Sequence, residues 1–204
     1  EMCIRDRAQI LRDYRQKLAA IEDFARQHPV RRILLLATGS SLNAALCARY
    51  FFEQRFGVLV EIKEPYNFTH YEAVDPHTDL VVAISQSGKS ASTLEAMRKV
   101  QALSLPVFAL TSDPQSPIAL ACDGVLDINT GIESVGFVTR GFSATVLNLL
   151  LMALMIARSQ GKASEAEEQH YLDELQRLAA AIPDVIARTS RFIERHGETL
   201  RGGE

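Results

Sequence analysis

Two short polar stretches interrupt an otherwise apolar sequence, and their residue types suit them to hold an anion: Thr38-Gly39-Ser40-Ser41-Leu42-Asn43 and Ser85-Gln86-Ser87-Gly88-Lys89-Ser90. Serine hydroxyls donate hydrogen bonds without bulk, and glycine lets an oxyanion approach the main chain. Each stretch follows an apolar run that reads as a strand and precedes a helical pattern, so the N–H groups of a helix N-terminus add to the donors. Together they describe a cradle for a phosphate. Ser, Asn and Gly are also ordinary cap and turn residues; the coincidence of two such loops is what favours the cradle. A nucleotide reading of Gly88-Lys89-Ser90 fails, because a Walker A loop needs glycine where this chain has Ala83. The dinucleotide-binding glycine fingerprint fails too, since Ala44 stands in place of its third glycine.

Such loops need a sheet to hold them. Apolar runs at 33–37, 58–62, 80–84, 106–110 and 125–128 predict five strands, continuous rather than alternating, as in strands covered on both faces. Helical patterns fill most of the gaps: Leu42 to Phe56 stopping at Gly57, Thr93 to Leu103, a short helix or turn over Pro114 to Ala121, and a long helix from Arg140 to Gln160. The alternation predicts an α/β fold, a three-layer α/β/α sandwich around a five-stranded parallel sheet with right-handed crossovers. In the flavodoxin-like order 2-1-3-4-5, strands one and three are neighbours whose crossovers leave on opposite faces, so both serine loops flank the crevice where such sheets bind ligands. Ahead of the sheet, Ile10, Leu11, Tyr14, Leu18, Ile21, Phe24 and Ala25 predict one amphipathic helix ending near His28-Pro29. After it, Glu165 to Arg188 reads as a charged amphipathic helix that Pro183 should kink or break, and Phe192 to Glu204 as a truncated linker. The expected organisation is an N-terminal helix over 1–30, a sheet domain over 31–161, and a C-terminal helix with linker over 162–204.

Composition narrows the partners. The 204 residues are 47% hydrophobic and 23% charged, which excludes disordered, collagen-like and disulfide-scaffold classes. With 22 Lys plus Arg against 25 Asp plus Glu, the net charge is -3, so no nucleic-acid partner is expected. Cys3, Cys47 and Cys122 lie far apart without CxxC spacing, which fits free thiols in a reducing cytoplasm, two of them within apolar stretches. The longest apolar run, Val146 to Ala157, is interrupted by Asn148 and falls short of the roughly 20 residues that cross a bilayer. It reads as a buried helix, and no membrane partner is expected. The opening residues are charged, so no secretory signal is expected either and the localisation reads as cytoplasmic.

Gly39-Ser40-Ser41 with Asn43, and Ser85-Gln86-Ser87-Gly88 with Ser90, resemble the sugar isomerase (SIS) domain family, whose members bind phosphosugars. A third segment, Glu133-Ser134-Val135-Gly136-Phe137-Val138-Thr139-Arg140-Gly141-Phe142, resembles the stretch after strand five in the isomerase part of glucosamine-6-phosphate synthase and in fructosamine-type 6-phosphate deglycases. The resemblance spans about Arg32 to Gly161. It implies that the hydroxyls of Ser85, Ser87 and Ser90, with the backbone at Gln86, hold a phosphate, that Ser40 and Ser41 lie along the sugar, and that Gly39 and Gly136 complete the binding set. The implied partner is a phosphorylated sugar or a sugar–amine adduct, with no cofactor and no metal. Lys89 departs from the Glu or Thr frequent in relatives and reads as a solvated cation. Tyr66-Asn67-Phe68 stands where relatives tend to carry an acidic residue. Glu133 and Arg140 read as a structural tie between the loop after strand five and the next helix.

Isomerisation and deglycation both need a base that moves a proton between C1 and C2. In the double-SIS enzymes that this chain resembles, the catalytic Glu and His come from the second SIS repeat or a neighbouring subunit, and these 204 residues contain one repeat. No catalytic residue is therefore assigned. His28, His70, His77, His170 and His196 stand alone, without metal-ligand spacing; His70 and His77 are the two near the expected crevice. The expected function is a phosphosugar-binding SIS domain, the N-terminal half of a double-SIS isomerase or deglycase, inactive on its own. A non-catalytic sugar-phosphate sensor and a complete single-SIS aldose–ketose isomerase are the alternatives. Apolar stripes on the helices at Arg140 to Gln160, Ile10 to Ala25 and Leu172 to Ile186 exceed what one small sheet covers, which predicts a homodimer.

Overall fold

The apolar runs become five short strands: β1 (Arg32–Leu36), β2 (Leu59–Lys63), β3 (Leu80–Ile84), β4 (Val107–Thr111) and β5 (Gly124–Asp127). In the computed structural model, which describes residues 2–130 and 140–201, they pair in the order β2-β1-β3-β4-β5, every pair parallel. Strands β3 and β4 are buried at every position, which is why their sequences carry no polar alternation. Side chains along β1 divide between two cores. Ile33 and Leu35 join one cluster, with residues of α1 (Met2–Lys17), α2 (Ala19–Gln27), α3 (Gly39–Phe56) and α7 (Arg140–Ser159). Leu34 and Leu36 join the other, with Phe68 of α4 (Pro65–Tyr71), residues of α5 (Ala91–Gln101) and Ile118 of α6 (Pro117–Leu120). The result is the α/β/α sandwich expected, with α3 on one face and α5 on the other.

Helix α7 is apolar around most of its girth because it is wrapped by α1, α2 and α3, with Leu151 to Ala157 all buried. By length and composition Gly141–Ser159 would suffice to cross a bilayer; here 72% of that stretch is buried inside the protein. Asn148, which interrupts the apolar run Val146 to Ala157, donates from Nδ2 to the carbonyls of Ala144 (2.9 Å) and Ile128 (3.1 Å), tying α7 to the end of β5.

Helix α8 (Glu165–Arg201) is fastened at its first turns. The buried Glu168 carboxylate accepts from the Tyr14 hydroxyl at 2.6 Å, Arg15 Nη2 at 2.7 Å and Arg158 Nε at 3.0 Å, joining α1, α7 and α8. Every residue of the helix over 183–196 is exposed, leaving Val185, Ile186, Phe192 and Ile193 uncovered.

Four local expectations give way. The N-terminal helix is two helices broken at Leu18; Leu18 and Ile21 are both fully buried, so the apolar stripe continues across a break it does not reveal. Pro183 lies inside α8, among exposed residues where water can replace the hydrogen bond that the ring removes, and the helix runs on to Arg201 through the stretch expected to be linker. An unanticipated helix, α4, opens with Pro65 at its first turn, a position that suits the ring. Cys47, placed by its sequence among apolar neighbours, is exposed; Cys122 is half-buried, and burial pushes its thiol up.

Candidate functional site

Register places the loops level with one another. Leu36 pairs with Lys63 of β2 and with Ala83 of β3, and Ala37 N–H extends the ladder to the Lys63 carbonyl at 3.2 Å. The chain therefore leaves β2 at Glu64, β1 at Thr38 and β3 at Ser85 from one edge of the sheet. Because α3 and α5 depart on opposite faces, a crevice opens between the ends of β1 and β3.

The second serine loop is strapped to the segment after β4. Ser85 N–H donates to the Leu110 carbonyl (3.1 Å), the Gln86 carbonyl accepts from Ser112 N–H (3.0 Å) and the Thr111 hydroxyl (3.3 Å), and the Gly88 carbonyl accepts from Ile118 N–H (3.2 Å). Gly88 is held at φ +64°, and a Cβ there would lie 1.9 Å from Ser116 Oγ and 2.9 Å from Thr111 Oγ1. The bare backbone is thus a condition of the packing. Ser90 is the N-cap of α5; its Oγ accepts from Thr93 N–H at 3.4 Å and from the Thr93 hydroxyl at 2.9 Å, and lies 3.2 Å from Ser92 Oγ. The N–H groups of Gln86, Ser87 and Ser90 have no partner among the described residues, and neither does the buried Nε2 of Gln86. Ser85 is nearly buried, whereas Ser87 and Lys89 are exposed. The expected binding set Ser85, Gln86, Ser87 and Ser90 is brought together here, at the positive end of α5.

The first loop is built differently. Gly39, at φ +57°, turns the chain into α3 with nothing within 4 Å of where a Cβ would stand. Thr38 occupies the N-cap of α3 but makes no capping bond; its hydroxyl donates instead to Glu64 Oε1 at 3.3 Å. Ser40 and Ser41 lie in the uncapped first turn, half-exposed. At the far side of the crevice, the Ser112 and Thr130 hydroxyls are 3.0 Å apart, and Asn129, at φ +61°, buries an Nδ2 without a partner. Gly136 and Glu133 lie outside the described residues, as does the side chain of Arg140. All five histidines are exposed; His70 leans on the Tyr66 ring at 5.0 Å and the Tyr71 ring at 5.9 Å.

Two contributors are not evident from motif reading. Thr111 and Ser116 lie against the loop at Gly88; the polar run Thr111-Ser112-Asp113 at the end of a buried strand is the signal that points to Thr111. Glu64, the first residue past β2, stands level with Thr38, while Tyr66-Asn67-Phe68 lie further along on α4. A shallow cavity of about 640 Å³ lies at the opposite edge of the sheet, with Asp79 and Asp123 in its lining. Those carboxylates accept from the N–H groups of Arg31, Arg32 and Val107, so they fasten strand beginnings.

The family model of the SIS domain matches residues 28–158. Glutamine–fructose-6-phosphate aminotransferase [isomerizing] of Bordetella pertussis is 31% identical over 180 residues, which cover 83% of this chain and 29% of that protein. Among solved structures, a candidate phosphosugar isomerase from Clostridium difficile 630 superposes with a TM-score of 0.87 at 22% identity, over 98% of this chain and 56% of the other. The C-terminal domain of glucosamine-fructose-6-phosphate aminotransferase from Francisella tularensis superposes at 0.79 with 23% identity, over 92% and 51% respectively. These two likenesses concern the fold. The chain spans less than a third of the length of the curated relative.

Proposed function

The chain belongs to the SIS domain family, and on that premise we propose that the crevice between β1 and β3 binds a phosphorylated sugar. The phosphate is assigned to Ser85, Gln86, Ser87 and Ser90, and the sugar to the rim formed by Gly39, Ser40 and Ser41, with Gly136 completing the set. The observation that carries this reading is the loop of three unpartnered N–H groups and three serines at the N-terminus of α5. A dianion gains charge-assisted bonds from every one of those donors, which a neutral hydroxyl does not. Titration calorimetry with hexose 6-phosphates, against the unphosphorylated sugars, tests it. Ser85→Ala or Ser87→Ala should weaken binding by about 1 kcal/mol or more each. Unchanged affinity in both variants refutes the assignment.

Residues 31–161 form the SIS unit in this proposal, with α1 and α2 before it and α8 after it, in a cytoplasmic protein. The parent activity is an isomerisation or a fructosamine-type deglycation. Serine hydroxyls position and neutralise a phosphosugar, but they do not take a carbon-bound proton near neutral pH. Turnover is therefore assigned to a base from a second SIS unit, and residues 1–204 alone should bind and turn over poorly. Robust turnover abolished by His70→Ala or His77→Ala overturns that division of labour. A homodimer is part of the proposal too, carried by the uncovered apolar stripe of α8, since α7 is already covered within the chain.

A further inference from the structure

We propose that Glu64 determines specificity at the end of the crevice remote from the phosphate, selecting ligands that carry a protonated amine there. The proposal rests on the phosphosugar reading of the serine loops. Glu64 follows β2, two strands from Ser85, and neighbouring strands lie about 4.8 Å apart, so the two sites are separated by roughly 10 Å, a distance that an open six-carbon phosphate spans. Its carboxylate is held from two sides, Oε1 accepting from the Thr38 hydroxyl at 3.3 Å and Oε2 from Asn67 Nδ2 at 3.1 Å. Thr38 gives up the capping of α3 to make that bond, and Thr38 leads directly into Gly39-Ser40-Ser41.

The local charges point to a cation as the occupant. Among the described residues no Lys or Arg pairs with Glu64, although both local cations are engaged elsewhere. Lys63 Nζ lies between Glu61 (3.2 Å) and Glu72 (3.0 Å). Lys99 Nζ donates to the carbonyls of Phe68, Thr69 and Glu72, at 2.7, 3.1 and 2.7 Å. The β2 end of the crevice is therefore negative and uncompensated, while the β3 end carries the N-terminus of α5 and the exposed Lys89. A neutral sugar hydroxyl would add a third neutral donor to a carboxylate that already has two. An ammonium would neutralise it. A ligand with phosphate at one end and ammonium at the other matches both ends.

The test is the affinity of the 204-residue chain for glucosamine 6-phosphate and glucose 6-phosphate, in wild type and Glu64→Gln, at low and moderate salt. For an exposed pair the wild type should favour the amine about two- to fivefold at low salt, less as salt rises, and Glu64→Gln should bind both alike. A preference that persists in Glu64→Gln overturns the role of Glu64. Equal wild-type affinity for the two ligands overturns it as well, while leaving the phosphosugar reading standing. Binding of neither phosphosugar overturns that reading and this proposal with it.

Discussion

Gly88→Ala is the sharpest test of how the second serine loop is held. Two costs arise, from independent causes. A residue with a Cβ at φ +64° loses about 1–2 kcal/mol to left-handed backbone strain. The new methyl would also sit 1.9 Å from Ser116 Oγ and 2.3 Å from its Cβ, an overlap that a packed core relieves at about 1–3 kcal/mol. The expected loss is then about 2–5 kcal/mol, read from urea denaturation followed by circular dichroism. Gly39→Ala is the internal control: its φ is +57° but nothing stands within 4 Å, so it should lose the strain alone. Ser116→Gly removes the two nearest clashing atoms and, as an N-cap replaced by glycine, should itself cost only a few tenths of a kcal/mol. The double variant Gly88→Ala/Ser116→Gly should therefore recover most of the difference from Gly39→Ala, the 2.9 Å approach to Thr111 Oγ1 remaining. Ligand titration should follow the same order, because pushing the loop off Ser116 moves the unpartnered N–H groups of Gln86 and Ser87. Equal losses for Gly88→Ala and Gly39→Ala, or no recovery with Ser116→Gly, would refute the packing argument.

Glu168→Ala leaves Arg158 and Tyr14 facing a lost carboxylate and should destabilise the chain by about 3 kcal/mol, with earlier proteolysis in α8. Burial and the neighbouring Glu168 raise the pKa of Tyr14, so the neutral phenol is favoured in the folded state. Its stabilisation is complete below the ordinary tyrosine value of about 10 and declines as pH rises above it, because the unfolded chain alone releases the proton. Denaturation midpoints at pH 8–11 should fall less steeply in Tyr14→Phe; identical slopes would discard Tyr14 as the cause. Light scattering at micromolar concentration should give a dimer, converted to monomer by Val185→Glu with Ile186→Glu; a wild-type monomer counts against the α8 stripe as its interface.

Strand positions and loop placement were legible because β1, β3 and β4 are buried on both faces, and burial on both faces writes itself as uninterrupted apolar runs. The serine loops were legible for the complementary reason: polar residues directly after such runs have nowhere to be but the sheet edge. Contacts between loops distant in sequence were not. Nothing local to Gly88 announces that Ser116 lies against it, and nothing local to Glu64 announces that Thr38 will bond to it rather than cap α3. Pro183 does not end the helix for a different reason: the hydrogen bond that its ring removes lies on an exposed stretch of α8, where water takes the freed carbonyl.

Helix α8 is also a mechanical arm. At 37 residues it is about 55 Å long, against about 17 Å for a five-residue strand, and the part beyond Pro183 spans about 27 Å, exposed at each residue over 184–196. A tilt of about 10° there would sweep the tip through about 5 Å. Its clamp is the Glu168 junction, and its point of least stiffness is Pro183, where one rung of the helical ladder is missing. Bending of the outer arm would therefore fall at Pro183 before it reaches the contacts of Glu168 with Tyr14, Arg15 and Arg158.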